Sequence, residues 1–343
     1  MNKVYLTDDE IGEIRSILRR IQTEYQCVED EAFLRDACLY AHQLPWRLRK
    51  CLNSFKLLES GNGVLMISGY PVHDEKIGAT PAHWNQRQVP SPTLDEEMLL
   101  ILFGCLLGEP LGWATQQNGY IVHDVLPIKS HEDEQLGTGS KQTLYWHNED
   151  AFHPYRGDYL CLLCLRNPDR VATTYVSIDT VEIGEGPRKL LFEPRFTIRP
   201  DESHLEKNRG AGASPQCPDD KSLAVAYERI NRLNESPQKI AVLFGDPNSP
   251  YVRIDPYFMD PLEDEEAQSA LNALVNAMES KLSEVAVGPG DFLFIDNYKA
   301  VHGRQPFRAR YDGRDRWLKR INVARDMRKS RDARLHSYSH VIL

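Results

Sequence analysis

Two short stretches of this 343-residue chain place an imidazole and a carboxylate two positions apart, a spacing that can hold a metal ion. In YWHNEDAFH the two residues are His147 and Glu149, and in SHEDEQ they are His131 and Asp133. Side chains at positions i and i+2 of an extended segment point to the same side, so each pair can reach one ion. The sequence therefore offers two candidate positions for a metal site.

The flanking residues favour the first pair. His147 and Glu149 lie between TLYW and AF, which predict the end of a strand and a partly dry wall. His131 and Asp133 lie within KSHEDEQLGTGSK, a polar, glycine-containing stretch that predicts a solvated loop with nothing to fix two ligands in register. A single pair remains weak support, because a facial triad of two histidines and one carboxylate needs another histidine from a distant strand.

His302 is the candidate for that second histidine. The apolar run FLFID predicts a buried strand, and the following NYKAVHG brings His302 to the mouth of the strand beside Gly303. A histidine in such a place is, taken alone, more commonly structural than a ligand.

A later strand, RDRWLKRINVAR, carries residues suited to binding anions. Its alternation places Arg316 and Arg320 on one face, about 13 Å apart at ~3.3 Å per residue. Guanidinium groups bind carboxylates through paired hydrogen bonds, so this face could receive two different carboxylates. Two structural ion pairs are the alternative interpretation.

The elements that must position these side chains change character near Gly119. Before it, amphipathic patterns predict several helices, and VLMISGY predicts a buried strand. After it, short β-rich segments alternate with turns, interrupted by one late helix. We therefore expect an α+β chain with a single domain over 1–343, consisting of a mainly helical layer at 1–110 and a jelly-roll core at 111–343. The polar stretch at about 194–240 is expected to be a lid insertion or disordered.

Composition argues against several classes of function. The net charge of -9 and the pI near 5.7 argue against a nucleic-acid groove or an anionic membrane surface. The longest apolar run is too short to span a bilayer, and no signal peptide is visible at the start of the chain. The seven scattered cysteines suit free thiols in a reducing cytoplasm. Cys161 and Cys164 lie three apart in a strand-like run, so they are expected to face opposite sides and pack in the core.

Three segments resemble the clavaminate-synthase-like iron(II), 2-oxoglutarate-dependent oxygenases, and among these the hydroxylases that act on arginine. They are WHNEDAFHPYRGDYLCLLCLRNPDRVATT, DFLFIDNYKAVHGR and RYDGRDRWLKRIN. Shorter matches in QLPWRLR, GWATQQ, DVLPIK and IRPDESHL extend the resemblance over most of the chain. It implies a double-stranded β-helix that uses Fe(II), 2-oxoglutarate and O2 to hydroxylate a free amino acid. L-Arginine at C3 is the first expectation, within the biosynthesis of a specialised metabolite such as an antibiotic.

The resemblance also implies which residues bind iron and 2-oxoglutarate. The iron ligands would be His147, Glu149 and His302. Arg316 would pair with the far carboxylate of 2-oxoglutarate, with a hydrogen bond from Thr174 or its neighbour Thr173. A carboxylate ligand occupies the position that a halide would need, which favours hydroxylation or desaturation over halogenation.

For the amino-acid substrate, the resemblance assigns one group of residues to the α-carbon end. Arg320 and Gln116 would hold the α-carboxylate, and Glu149 would also receive the α-amine. These assignments use the second arginine of the RDRWLKRINVAR strand for a carboxylate other than that of 2-oxoglutarate.

At the other end of the substrate the chain departs from the family pattern. Asp201 and Asp255 match positions that bind the guanidinium, but Tyr257 stands where the arginine enzymes have a second aspartate. A tyrosine can stack on a guanidinium or donate a hydrogen bond. Homoarginine, a cyclic guanidine such as enduracididine, and citrulline are therefore alternative substrates, with attack at another carbon or desaturation as alternative reactions. A metal-free jelly roll that only binds an amino acid is the alternative from a different class.

Overall fold

The computed structural model describes residues 1–59, 62–210 and 219–343. Within these ranges the α-helices are α1 (Asp8–Gln22), α2 (Glu31–Ala41), α3 (Trp46–Leu58), α4 (Asp74–Ile77), α5 (Leu94–Leu107), α6 (Glu185–Leu191), α7 (Asp220–Glu235) and α8 (Glu265–Glu279). The strands are β1 (Asn2–Tyr5), β2 (Val64–Ser68), β3 (Glu109–Trp113), β4 (His123–Val125), β5 (Leu144–His147), β6 (Tyr159–Arg166), β7 (Thr173–Ser177), β8 (Leu243–Asp246), β9 (Ser249–Val252), β10 (Ser283–Val285), β11 (Phe292–Asp296), β12 (Ala300–Arg304), β13 (Trp317–Ala324) and β14 (Val341–Ile342).

The strands form two main sheets. The larger has the order β1-β2-β11-β6-β13-β3-β14, with β4 also paired to β13, and the smaller has the order β10-β7-β12-β5. β8 and β9 form a separate hairpin. Neighbouring strands in both main sheets are far apart in the sequence, so the chain passes repeatedly from one sheet to the other.

The two main sheets face each other across an apolar layer. Leu162, Leu293 and Leu318 of the larger sheet pack in one cluster with Tyr175 and Val285 of the smaller sheet. Since side chains alternate between the faces of a strand, the opposite face of the larger sheet is also apolar and must be covered.

The cysteines of β6 follow this alternation. Cys164 packs between the two sheets, whereas Cys161 packs on the other side of β6, in the cluster that the N-terminal helices form with the larger sheet. The prediction that this CxxC pair faces opposite sides and packs in the core is therefore confirmed.

Helix α5 covers the outer face of the larger sheet and is buried along nearly its whole length. It packs against β13 at Gly104, where an added Cβ would lie 2.6 Å from Cδ1 of Ile321. A larger residue at this position would require the Ile321 side chain to shift, so the glycine favours close packing of α5 on β13. The N-terminal layer is not purely helical, because β1 and β2 extend the larger sheet.

The polar stretch at 194–240 contains more regular structure than its composition predicts. Residues 211–218 lie outside the described residues, but α7 occupies much of the remainder. Part of the stretch is helical rather than irregular, because Leu223, Ala226, Tyr227 and Ile230 recur at helical spacing and bury one face. The charged residues between them hid that period. Among the helices described, none combines the length and apolar character needed to cross a membrane.

Candidate active site

A cavity of about 840 Å³, open to solvent, lies between the two sheets and collects most of the predicted site residues. Its lining includes His147, Glu149, Thr173, Asp201, Asp255, Tyr257, His302, Arg316 and Arg320. Two predicted residues do not line it: Gln116 lies behind Arg320, and Thr174 lies on the other face of its strand. The predicted pairing of Arg316 and Arg320 on one face of the chain is confirmed, since both reach this cavity.

The His147–Glu149–His302 cluster forms where β5 pairs with β12. His147 lies directly opposite His302 in this antiparallel pair, so the two rings share a face, with centroids 4.7 Å apart. The Nε2 atoms of His147 and His302 lie 3.8 and 3.6 Å from Oε2 of Glu149. The pairing thus brings together residues 155 positions apart in the sequence.

These three side chains fit a divalent metal ion of the iron type. One ligand atom from each lies within 4.8 Å of the others, and the set of two imidazoles and one carboxylate is the facial triad of non-haem iron sites. Nδ1 of His147 lies 2.8 Å from the carbonyl oxygen of Tyr145, which can fix the ring and leave Nε2 for a metal. One side of the cluster is open to the cavity, so exogenous ligands can reach it.

Two asparagines, which the sequence did not single out, hold this cluster in place. The amide of Asn148 donates to the carbonyl oxygens of Asn297 and Ala300, at 2.9 and 3.0 Å. Asn297 in turn accepts from the Glu149 backbone N–H at 2.8 Å and donates to the Glu149 carbonyl at 3.0 Å. These bonds fix the chain after β5 against the turn before β12, and therefore fix Glu149 relative to His302.

The electrostatics of the cluster favour a bound cation. Burial would raise the pKa of Glu149, but Arg320 and the two histidines hold it well below its usual range. Burial opposes charge on His147 as well, yet Glu149 and Asp255 raise the pKa of that imidazole to about 9. Burial and the neighbouring His147 lower the pKa of His302 to about 3. Glu149 therefore favours positive charge at this site, but the two imidazoles cannot both be protonated. A metal ion can supply that positive charge in place of a proton.

Arg316 is a buried cation without a protein counter-ion. Its side chain is 5% exposed, and within the described parts of the chain it has no ion pair or hydrogen bond. Burial lowers the pKa of Arg316 to about 10. Since buried charges are normally paired, this guanidinium indicates a site for an anionic ligand.

Thr173 supplies a second unpaired group in the cavity. Its hydroxyl is buried and has no hydrogen-bond partner among the residues described, and it lines the cavity with Arg316. On β7, Thr173 shares a face with Tyr175, which packs between the sheets, whereas Thr174 shares a face with Val176, which packs on the outside. Of the two threonines considered for the keto acid, the one facing the cavity is Thr173.

At the opposite end, Arg320 is held by several partners. It forms an ion pair with Glu149, donates to Oε1 of Gln116 at 3.2 Å, and lies 2.7 Å from Nδ1 of His123. Burial and the adjacent Arg320 lower the pKa of His123 well below its usual range, so His123 accepts as a neutral imidazole. His123 was missed from the sequence; its position opposite Arg320 on β4 and β13 follows only from strand pairing.

Acidic residues line the cavity near its mouth. Asp255 is buried, and burial raises its pKa to about 6, while its Oδ1 accepts from the backbone N–H groups of Tyr257 and Phe258 at 3.2 and 3.3 Å. Asp201 is partly exposed and caps a 3-10 turn by accepting from the N–H of Ser203 at 2.9 Å. Tyr257 is 57% exposed. This end of the cavity therefore suits a cationic group with solvent access.

A second group of possible metal ligands, Asp150, Asp201 and His204, lies next to the first. It differs because its polar atoms are already satisfied: Asp150 accepts from Trp113, Asn322 and His204 at 2.6, 3.2 and 3.0 Å. We therefore assign Asp150 and His204 a structural role.

The His131–Asp133 pair also behaves as expected from the sequence. Asp133 is exposed and pairs with Lys141, at 3.2 Å. Neither residue belongs to a group of three possible metal ligands among the residues described. His147 and Glu149, by contrast, converge with His302.

Comparison with known proteins agrees with this geometry. The family model described as "Taurine catabolism dioxygenase TauD, TfdA family" matches residues 87–322. The enduracididine beta-hydroxylase of Streptomyces hygroscopicus is 46% identical over 345 residues, covering 100% of each chain. The L-ornithine/L-arginine 3-hydroxylase of Catenulispora acidiphila is 43% identical over 334 residues, covering 96% of each chain.

Among solved structures, the non-heme iron oxygenase OrfP superposes on the full length of the chain. Its complex with Fe, succinate and (3S)-hydroxy-L-Arg gives a TM-score of 0.93 at 44% identity, covering 100% of each chain. Its complex with Fe and alpha-ketoglutaric acid gives a TM-score of 0.86 at 42% identity, covering 99% of this chain and 100% of that one. The chain belongs to the TauD, TfdA family of dioxygenases.

Proposed function

We propose that this protein is an Fe(II)- and 2-oxoglutarate-dependent oxygenase that hydroxylates C3 of a free L-amino acid with a guanidinium side chain, L-arginine first. The observation that carries the proposal is one cavity with a His-Glu-His cluster between two arginines, one of them buried without a counter-ion. The names of the relatives support the substrate class, since they include an arginine 3-hydroxylase and a hydroxylase of enduracididine.

In this proposal His147, Glu149 and His302 ligate the iron. This set of two imidazoles and one carboxylate would hold the ion and leave it accessible from the cavity to 2-oxoglutarate and dioxygen. With these bound, oxidative decarboxylation of the keto acid to succinate and CO2 supplies the oxidant that places one oxygen atom in a C–H bond. The protein's own contribution is to bind, orient and exclude water.

Arg316 and Thr173 bind the far carboxylate of 2-oxoglutarate. The guanidinium can donate two parallel hydrogen bonds to the carboxylate, and the threonine hydroxyl can donate a third. This ligand would satisfy two buried groups that lack a partner in the protein. Thr174 is the weaker candidate, because the outward face of β7 does not meet the cavity.

Arg320 binds the α-carboxylate of the amino acid, and Gln116 and His123 orient its guanidinium. Glu149, already paired with Arg320, lies where it can also receive the α-amine. Because Glu149 is at the same time an iron ligand, the α-carbon would be held beside the metal. C3, the substrate carbon bonded to the α-carbon, would then also lie close to the metal, which is the reason to place the reaction there.

Asp255 and Asp201 bind the guanidinium end. A cation there would stabilise the charged form of Asp255, whose pKa burial raises to about 6. Tyr257 contributes a ring and hydroxyl at the mouth in place of a further carboxylate. A cyclic guanidino amino acid such as enduracididine is the second candidate substrate, favoured by Tyr257 and by the 46% identity to the hydroxylase of that amino acid.

We also propose that the chain over 1–343 forms one domain around a double-stranded β-helix. From β4 to β13, apart from the β8–β9 hairpin, consecutive strands alternate between the sheets except for β7 and β10, which share one. This path supports a jelly roll. The segment 194–210 with α7 would act as the lid.

A turnover screen tests the function. Purified protein with Fe(II) and 2-oxoglutarate is incubated with arginine, homoarginine, citrulline, lysine and cyclic guanidino amino acids, and succinate release and product mass are measured. Hydroxylation adds one oxygen, whereas desaturation removes two hydrogens. Succinate release and an added oxygen with arginine or a cyclic guanidine are expected, and their absence with all guanidino substrates would overturn the proposal.

A further inference from the structure

His204 is a fully buried histidine outside the metal cluster, and both of its ring nitrogens have partners. Nδ1 lies 2.8 Å from Oγ1 of Thr115, and Nε2 lies 3.0 Å from Oδ1 of Asp150. The ring, which is 0% exposed, packs against Trp113 and Phe152 at centroid distances of 5.3 and 4.9 Å. No pattern in the sequence indicates a role for this residue.

One partner of His204, Asp150, lines the active-site cavity and has several further hydrogen bonds. Asp150 directly follows Glu149 and also accepts from the indole N–H of Trp113 and the amide of Asn322. Trp113 ends β3 and Asn322 lies in β13, the strand that carries Arg320. Asp150 therefore joins His204 to two strands of the larger sheet.

The turn that carries His204 also carries residues that line the cavity. It spans Glu202–His204, is capped by Asp201, and presents Asp201 and Ser203 to the cavity. Oγ of Ser203 lies 2.5 Å from Nε2 of Gln116, whose Oε1 accepts from Arg320. The turn thus lines the cavity and is linked to Arg320 through Gln116.

The other contacts of the turn, such as the Ser203–Gln116 hydrogen bond and the Glu202–Lys207 ion pair, are only partly buried. Glu202 and Ser203 are polar and only partly buried, and the chain continues through Lys207 and Arg209, whose side chains are half-exposed. Leu205 adds partial apolar contact. The ring of His204 is the one fully buried side chain of the turn among the residues described.

We propose that His204 is a positioning residue for substrate binding: its two hydrogen bonds, to Thr115 and Asp150, hold the Asp201–His204 turn over the cavity so that Asp201 and Ser203 face the amino acid. The identity of that amino acid rests on the proposed function, but the docking of the turn does not. A hydrogen bond between an imidazole and a buried carboxylate is of the strong, charge-assisted kind, and removing one partner leaves Asp150 undersatisfied.

The first test measures docking of the turn without substrate. His204→Phe keeps the aromatic contacts with Trp113 and Phe152 and removes both hydrogen bonds, and His73→Phe changes an exposed histidine as a matched control. Trypsin cleavage at Lys207 and Arg209 is followed by mass spectrometry. We expect cleavage at these two sites to be about tenfold faster in His204→Phe, the effect of ~1.4 kcal/mol, and unchanged in the control.

The second test separates positioning from a loss of fold. For the amino acid that the turnover screen identifies, the apparent KM is expected to rise roughly tenfold or more in His204→Phe, while that for 2-oxoglutarate, bound at Arg316, changes less than about twofold. The ratio of succinate to hydroxylated product should also rise, because 2-oxoglutarate is consumed without hydroxylation when the amino acid is misplaced. His204→Gln, which can still donate to Asp150, should bring the ratio of succinate to hydroxylated product part of the way back to the wild-type value.

Several outcomes would overturn the proposal. One is wild-type cleavage at Lys207 and Arg209 together with a wild-type KM for the amino acid; another is an equal rise in both Michaelis constants. If His204→Phe does not fold, Thr115→Val removes one of the two bonds and should show the same changes at smaller size; unchanged values there would also refute the idea. Failure of the screen would leave the proteolysis test standing, so the two hypotheses are tested separately.

Discussion

Replacing Arg316 with methionine gives the sharpest test of the keto-acid site, because stability and function should change in opposite directions. Arg316 is 5% exposed and has no acidic or hydrogen-bonding partner in the described part of the chain. Methionine fills similar space without charge. The ligand-free variant should therefore be more stable than the wild type, while its binding of 2-oxoglutarate should be impaired.

The magnitudes follow from burial of the charge. Burial lowers the pKa of Arg316 to about 10, roughly 2.5 below the usual arginine value, which corresponds to about 3 kcal/mol of unfavourable charge burial. Imperfect packing of methionine will offset part of this, so a rise of a few degrees in Tm is expected. Truncating one member of a buried charge pair costs about 2–5 kcal/mol, so the apparent KM for 2-oxoglutarate should rise by about 30-fold or more.

Thermal unfolding with and without 2-oxoglutarate, followed by steady-state kinetics, measures both effects. The Tm of the wild type should rise when 2-oxoglutarate is added. The Tm of Arg316→Met should be higher than that of the wild type without 2-oxoglutarate and should rise little when it is added. The apparent KM for the amino acid should change far less than that for 2-oxoglutarate. The same kinetic asymmetry is expected for Arg316→Ala.

Arg304 offers a matched control. It is buried to a similar degree, at 3% exposure, and also lines the cavity, but its guanidinium donates to the carbonyl oxygens of Gly137, Gly139 and Gln142 at 3.3, 2.6 and 3.1 Å. Arg304→Met should therefore lose stability. If Arg316→Met loses stability in the same way and is still stabilised by 2-oxoglutarate, Arg316 is a structural residue and the keto-acid site lies elsewhere.

Three further predictions concern the remaining roles. Glu149→Ala should abolish hydroxylation and lower the iron content measured on the purified protein; full activity would refute its assignment as a ligand. Because burial raises the pKa of Asp255 to about 6, its carboxylate is charged above that pH, so the apparent KM for a cationic amino acid should rise as the pH falls through about 6. Asp255→Asn should have a high KM at every pH, and a wild-type pH profile in this variant would contradict the role. Thr173→Val should raise the apparent KM for 2-oxoglutarate by about tenfold, because it removes one charge-assisted hydrogen bond, and Thr174→Val should not. The reverse result would disprove the assignment of Thr173 to the keto acid.

The sequence by itself determined the features that depend on local pattern. The i, i+2 spacing marked two possible metal pairs, of which the flanking residues favoured His147 and Glu149, and the period of two placed Arg316 and Arg320 on a common face. Apolar residues at helical spacing predicted α1 and α8, and apolar runs predicted the buried helix α5 and the buried strand β2. Each of these follows from backbone geometry over a few residues, which the sequence carries directly.

Only the tertiary structure decided which of those faces meet. The pairing of β5 with β12 brought His302 to His147, and the packing of β7 turned Thr173 rather than Thr174 toward the cavity. The same pairing of distant strands brought His123 to Arg320.

His204 shows the limit most clearly. Nothing in IRPDESHL marks it, because its partners Thr115 and Asp150 lie 89 and 54 positions away in the chain. Alternation and periodicity tell which side chains share a face, but not which face is inside or what lies across from it. That depends on hydrogen bonds and packing between segments far apart in sequence, and so it is fixed only when the whole chain folds.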